Sequence, residues 1–278
     1  MTNYREIAQE TLAIIDANGY KIGDTTVKLS EDPKGPRDVI VCTPEKVQMA
    51  VRELNESQGT NECEIRVDML DSLTSAQKNG VGKMLVLNFA NAFRPGGGFL
   101  RGARAQEEAM CRCSTLYASI SGEAALEMYE YNKAHMTPEG SDYMLLSPSV
   151  IVFRDVECNL LKTPYAVSVL TAAAPNLYGE AEGLKGDALL DLMRHKIKNV
   201  VAVAAKYSYE TLILGAWGCG AFGHDAKQVA QCFYDVLVGE GHKKLFKKIV
   251  FSILTNYEFN YNYARFFDRF SKTGEGGK

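Results

Sequence analysis

From Glu62 onward, short apolar runs alternate with helical stretches, and this alternation constrains the fold more than any other feature of the chain. Residues 64–67, 84–89, 149–153, 166–171, 211–215 and 248–254 have the length and side-chain character of strands. Between them lie helical patterns around residues 72–78, from about 103 to 120 and on to 131, over 184–207, over 226–237 and near 256–270. Strands interleaved with helices of ten or more residues predict an α/β sheet covered by helices on both faces. Before Glu62 the grain differs. A helix is expected over residues 1–18, closed by Asn18-Gly19, followed by extended runs near 26–29 and 39–42. Thr43-Pro44-Glu45 then opens a second helix that fades near Gln58-Gly59. The expected division is an accessory, mainly helical segment over 1–61, the main domain over 62–270, and a polar, Gly-rich, disordered tail over 271–278.

The composition narrows the class of function. With 46% hydrophobic and 23% charged residues among 278, the chain can bury a large core without staples. Its 31 basic residues are scattered and outnumbered by 34 acidic ones, which argues against affinity built on neutralising a nucleic-acid backbone. Any nucleotide bound is expected to be a small ligand, with no direct nucleic-acid binding. The first twenty residues mix charge with apolar residues and lack a secretory pattern. The longest apolar runs, such as residues 200–205, fall far short of the roughly 18 residues of a membrane span. A soluble, cytoplasmic protein is expected, with no membrane partner. Seven cysteines, an odd number without a C-x-x-C pair, read as small buried hydrophobes in a reducing compartment.

Two glycine clusters carry the chemistry. Asn88-Phe-Ala-Asn91-Ala-Phe-Arg-Pro-Gly96-Gly97-Gly98 follows a strand and precedes a helix. Consecutive glycines let backbone approach something closely or adopt positive φ, so the loop is either an anion cradle for a phosphate or a flexible turn. The second cluster, Gly215-Ala-Trp217-Gly218-Cys219-Gly220-Ala221-Phe222-Gly223-His224-Asp225, again lies between a strand and a helix. In an open α/β sheet ligands sit beyond the carboxyl ends of strands, and two such loops can grip a diphosphate from both sides. Neither is a Walker loop, and the G-x-G-x-x-G spelling at Gly218, Gly220 and Gly223 comes late in the chain for a dinucleotide fingerprint. After the first loop comes Gln106-Glu107-Glu108. Adjacent helical residues point about 100° apart, so these carboxylates cannot flank a bond as in a typical glycosidase; one can face a ligand while the other fixes a hydroxyl.

Three glycines followed seven residues later by Gln-Glu-Glu resemble the signature of the macrodomain-type poly(ADP-ribose) glycohydrolases, and of their bacterial branch in particular. The resemblance spans most of residues 62–255 and includes the Asn88-to-Asn91 strand end and the late glycine loop. It implies a macrodomain-like mixed sheet and hydrolysis of the ribose–ribose O-glycosidic bond of poly(ADP-ribose), releasing ADP-ribose. By the same resemblance Glu108 is general acid and then base, while Glu107 and Asn91 hold ribose hydroxyls. Gly96, Gly97, Gly98 and Gln106, with Gly218, Cys219, Gly220, Ala221, Phe222 and Gly223, would bind substrate. A nearby diphosphate would favour the protonated form of Glu108. The substrate can stand on ADP-ribosylated proteins, and neither metal nor cofactor is required.

Other residues admit two readings. Phe222 packs over a nucleotide or in the core; Asp68 recognises adenine or is a solvated strand-end carboxylate; Trp217 packs beside its loop. The aromatic-rich end from Tyr257 to Phe270 has the spacing of a helix packed on the sheet rather than of a base-stacking surface. The alternatives to the glycohydrolase are a non-catalytic ADP-ribose reader on the same scaffold and a hydrolase of single ADP-ribosyl groups on another acceptor.

Overall fold

The computed structural model describes residues 2–32, 37–257 and 259–271. In chain order the first half holds α1 (Tyr4–Asp16), β1 (Gly19–Ile22), β2 (Thr25–Lys28), β3 (Ile40–Cys42), α2 (Pro44–Glu56), β4 (Glu64–Asp68), α3 (Ser72–Asn79) and β5 (Met84–Phe89). There follow α4 (Gln106–Cys113), α5 (Leu116–Ile120), α6 (Glu123–Ala134), β6 (Met144–Arg154), β7 (Leu160–Ala172), α7 (Gly186–Lys206), β8 (Thr211–Leu214), α8 (Ala226–Tyr234), β9 (Lys248–Ser252) and α9 (Tyr261–Phe270). The tail expected over 271–278 lies, from 272 on, outside the described residues.

One compact unit comprises residues 1–42, 88–134 and 144–173. Its long antiparallel pair β6–β7 is extended by β3, which pairs with β6 through Ile40–Leu146 and Cys42–Met144. Helix α1 starts where the Asn3 side chain accepts from the Arg5 and Glu6 amides, satisfying two donors that the first turn leaves unpaired. Its buried Ile14 and Ile15 join Tyr20, Val27, Leu29 and Phe153 in an apolar cluster. Each such side chain contributes about 1.5–3 kcal/mol on full burial.

The other unit comprises residues 43–87, 135–143 and 174–278. Its strands run in the order β5, β8, β9, β4, all parallel. Leu212, Ile213, Val250 and Phe251 are at most 1% exposed, the near-continuous apolar character of strands covered on both faces. Helix α2 opens on the Thr43 cap with Pro44 in the first turn. Helix α9 covers the sheet with Phe266 and Phe270, the latter stacked on Phe251 at 4.4 Å between ring centroids. From Tyr261 on, the aromatic end is therefore a packing helix, with Tyr263, Phe266 and Phe270 buried, while Tyr257 and Phe259 precede it and are exposed. It opens at Tyr261, its side-chain cap supplied by Asn260.

Residues 1–61 are shared between the two units rather than set apart, because β3 completes one strand array and α2 packs against α7 in the other. Three further differences from the sequence reading have local causes. The helix expected from 103 to 120 starts only at Gln106 and breaks after Cys113. At the break the Ser114 hydroxyl donates to the Met110 carbonyl, and Thr115 exchanges two hydrogen bonds with Ile151 of β6, at 2.9 and 3.0 Å. Strands β6 and β7 run 11 and 13 residues, well beyond the expected apolar cores, with Pro148 placed at a register irregularity where its missing donor is tolerated. Helix α8 stops at Tyr234 and continues as a single wide turn over Asp235–Gly239.

Candidate active site

Helix α4 begins just after the glycine loop, with Gln106, Glu107 and Glu108 in its first turn, where the positive end of the helix favours carboxylates. The three side chains do different things. The Gln106 carbonyl oxygen accepts the Phe89 amide at 2.9 Å, fastening the helix start to the end of β5. Glu107, 3% exposed, accepts the Asn91 amide on Oε2 at 2.8 Å and the Asn88 side-chain amide on Oε1 at 3.3 Å. Asn88, fully buried, also donates to the Thr171 hydroxyl at 3.2 Å. Burial pushes the Glu107 carboxyl up to about 8; the amide bonds oppose this and the neighbouring Glu108 charge adds to it.

Glu108 is held by one oxygen only. Its Oε1 accepts the Gly98 amide at 2.8 Å, while Oε2 is buried and has no hydrogen-bond partner among the described residues. A buried carboxyl oxygen without a partner is costly unless a ligand supplies one. One oxygen is fixed and the other kept ready, which is the arrangement needed to pass a proton to a bound group.

The glycine loop explains why the carboxylates can sit so close to backbone. Gly96 and Gly97 have φ of +63° and +55°, a conformation that other residues rarely adopt. A Cβ on Gly97 would lie 2.6 Å from Glu108 Oε1 and 3.1 Å from Glu107 Oε2. The amides expected to cradle phosphate point elsewhere: Gly98 donates to Glu108, Gly97 to the Arg94 carbonyl at 3.1 Å, and Gly96 toward Glu107. The acceptors wrapped by this loop are the protein's own carboxyl groups. Asn91 caps its own turn, its Oδ1 accepting the Phe93 amide at 3.0 Å, and leaves Nδ2 without a partner among the described residues.

The second loop, after β8, is organised differently. Gly218 and Gly223 take φ of +79° and +80°, and the Gly218 carbonyl accepts the His224 amide at 3.1 Å. His224, buried, meets the Pro175 carbonyl through Nε2 at 2.7 Å; burial lowers its pKa, so the ring is neutral and donates from Nε2. Among the described residues the amides of Gly220, Ala221 and Phe222 have no partner, so three successive N–H groups remain open to an acceptor. Cys219 turns its thiol toward the Trp217 carbonyl at 3.7 Å, and burial pushes that thiol upward. Trp217 is buried beside the loop and Phe222 is half-buried.

Asp68 is half-buried rather than a free strand-end carboxylate, because Ser75, Asn79 and Ser252 side chains and the Leu70 amide donate to its two oxygens at 2.7–3.2 Å. Two participants around Glu107 went unassigned in the sequence reading. Asn88 stood in the quoted motif without a role, and nothing in the sequence distinguished Tyr129 on α6. Tyr129 is fully buried with an unpartnered hydroxyl, its pKa held well up by burial and then by the Glu107 charge. Among the described residues no group of three or more His, Cys, Asp or Glu side chains is placed to hold a metal ion, and no helix is long and apolar enough to cross a membrane.

Residues 8–155 match the family model described as the microbial-type PARG catalytic domain. Comparison with curated proteins gave no match. Among solved structures, poly(ADP-ribose) glycohydrolase from Thermomonospora curvata is 33% identical with a TM-score of 0.89, covering 96% of this chain and 99% of its own. The same protein bound to the inhibitor ADP-HPD gives 32% identity and a TM-score of 0.84, over 96% and 99% of the two chains. The enzyme from Deinococcus radiodurans in complex with ADP-ribose gives 30% and 0.80, over 89% of this chain and 99% of its own. The match extends over both the chain and its fold, so this protein belongs to the microbial-type poly(ADP-ribose) glycohydrolase family.

Proposed function

We propose that this enzyme hydrolyses the ribose–ribose O-glycosidic bond of poly(ADP-ribose) and releases ADP-ribose, with Glu108 as general acid and then general base. The observation that carries the role is the Glu108 carboxyl, anchored by Gly98 on Oε1 and unpartnered on a buried Oε2. Burial keeps the Glu107 carboxyl protonated at neutral pH. In the proposed step Glu108 delivers a proton from Oε2 to the leaving ribose oxygen as the oxocarbenium-like state develops. Its carboxylate then takes a proton from the attacking water. Glu107, both of whose oxygens are already engaged by Asn88 and Asn91, orients the site, and the free Nδ2 of Asn91 donates to a ribose hydroxyl. The free amides of Gly220, Ala221 and Phe222 bind the diphosphate, with the Phe222 ring against the nucleotide.

The test is turnover of defined poly(ADP-ribose) and mono-ADP-ribosylated proteins, read as free ADP-ribose. Glu108→Gln preserves shape but not the titrating proton, so turnover of the polymer should fall by at least about a hundredfold. ADP-ribose affinity should change little, since the lost interaction belongs to the transition state. Near-normal turnover by Glu108→Gln, with Glu107→Gln inactive, would reverse the two roles. A wild-type protein that binds ADP-ribose but releases none from either substrate would be a reader; release from the mono-modified substrate alone would move the activity to that acceptor.

A further inference from the structure

At the far end of α4 from the two glutamates, Cys113 meets the turn between β6 and β7. Its thiol donates to the Asp155 carbonyl at 3.1 Å, and the Cys158 amide donates to the same oxygen at 2.9 Å. Two cysteines from distant parts of the sequence thus meet at one acceptor, with the Cys113 side chain near enough to the Cys158 thiol to lower its pKa. Cys158 is held in left-handed backbone, φ +70°, which a non-glycine residue adopts only when its surroundings impose it.

The charges around the pair favour a thiolate. The Arg112 and Arg154 charges both act on the Cys158 thiol, and Arg154 Nη1 donates to the Cys158 carbonyl at 2.7 Å. Both guanidinium groups are about 4% exposed, and the Nε of each is buried without a partner. The nearby carboxylates are committed elsewhere. Glu10 pairs with Arg154 at 2.7 Å, and Asp155 accepts from the Glu157 and Asn159 amides and the Asn159 side chain at 2.8–3.0 Å. Cys113 and the two arginines pull the Cys158 thiol down to about 6 against the effect of burial. Cys63, Cys111, Cys219 and Cys232 all go the other way, pushed up by burial. Cys158 is itself buried but retains 8% exposure, in a turn between exposed Glu157 and Asn159, whereas Cys111 has no exposed surface.

We propose that Cys158 and Cys113 form a peroxide-reactive thiol pair that closes reversibly to a disulfide. The Cys158 thiolate attacks a hydroperoxide; an S–O bond forms, the O–O bond breaks, and the alcohol or water leaves after protonation. The peroxide takes two electrons and Cys158 becomes a sulfenic acid. The Cys113 sulfur then displaces the hydroxyl group, which departs as water with the Cys113 proton, leaving the S–S bond. The crosslink ties the end of the helix that carries Glu107 and Glu108 to the β6–β7 turn. A thiol reductant reverses it.

The experiment is peptide mapping of the whole protein after graded hydrogen peroxide and blocking of free thiols. Trypsin cuts after Arg112, Arg154 and Lys162, so Cys111, Cys113 and Cys158 fall on separate peptides. The expected result is a linked pair of the peptides starting at Cys113 and Asp155, appearing before any other cysteine is lost and removed by dithiothreitol. The oxidised protein should unfold at a higher temperature than the reduced one. In Cys113→Ser, a sulfenic acid on Cys158 should be trapped by a 1,3-dione probe in place of the crosslink. Cys63 or Cys219 oxidising first, or no linked peptide in the wild-type protein, would overturn the proposal whether or not the variant folds.

Discussion

Gly97→Ala isolates what the glycine loop does. The added Cβ would sit 2.6 Å from Glu108 Oε1, where ordinary contact begins near 3.4 Å, so the carboxylate must retreat by about 0.8 Å. Displacements of about 1 Å in a reacting group cost on the order of a hundredfold in rate, and the 2.8 Å bond from Gly98 would be lost with them. The left-handed φ of +55° adds a backbone penalty of roughly 1–2 kcal/mol, which a domain of ordinary stability survives. Gly23→Ala separates the two effects. Gly23 has a nearly identical φ of +56°, in the β1–β2 turn, with nothing within 4 Å of its built Cβ. Both variants should lower the unfolding midpoint, Gly97→Ala by more because it also displaces Glu108, whereas only Gly97→Ala should lose turnover of poly(ADP-ribose). If Gly97→Ala turned over as fast as Gly23→Ala, the carboxylate would not depend on this approach and the reasoning would fail.

Glu107 sets a pH dependence of stability. Its folded pKa, about 8, lies above the ordinary carboxyl value of 4.5, so the folded state holds the extra proton between them. Its contribution is fully present below about pH 4.5 and is lost as pH rises toward 8, with a slope of up to about 1.4 kcal/mol per unit. Denaturant titrations at pH 5 and 8 should show this loss in wild type and a flatter response in Glu107→Gln. Thr115→Val leaves the Ile151 amide without its 2.9 Å acceptor and should cost about 1–3 kcal/mol, seen as a lower urea midpoint with an unchanged slope. ADP-ribose at a hundredfold excess over its Kd should stabilise by about 2.7 kcal/mol. Gly218→Ala, whose Cβ would press the His224 ring at 2.7 Å, should reduce that thermal shift; an unchanged shift would place the diphosphate elsewhere.

The positions of both glycine loops at strand ends, and the two glutamates in the first turn of a helix, were legible because turn chemistry and spacing are local properties. Which anion the first loop wraps was not. A carboxylate from three residues into the next helix and a phosphate from solution make the same demand on backbone N–H groups, and only the tertiary path shows that Gly98 reaches Glu108. The break at Ser114-Thr115 was hidden because its cause is a pair of bonds to Ile151, 36 residues away, in a segment whose own residues tolerate a helix. Pro148 concealed the length of β6, since a proline marks a boundary in sequence but can be accommodated at a bulge. Asp68 looked free at a strand end, yet its partners Ser75, Asn79 and Ser252 come from two other elements.

The mutual hold of loop and helix also bears on how such a sequence can change. Gly97 is small because Glu108 is near, and Glu108 stays in place because Gly98 holds it, so substitutions here are judged together rather than one at a time. Once Glu108 has been replaced by alanine, a methyl group at Gly97 no longer meets its tightest neighbour, though Glu107 Oε2 at 3.1 Å and the left-handed φ still oppose it, so the second change should cost less than it does alone. Drift at this site therefore has an order: the glycine is most constrained for as long as the glutamate is present, and a lineage that loses Glu108 first meets a lower barrier to filling the loop.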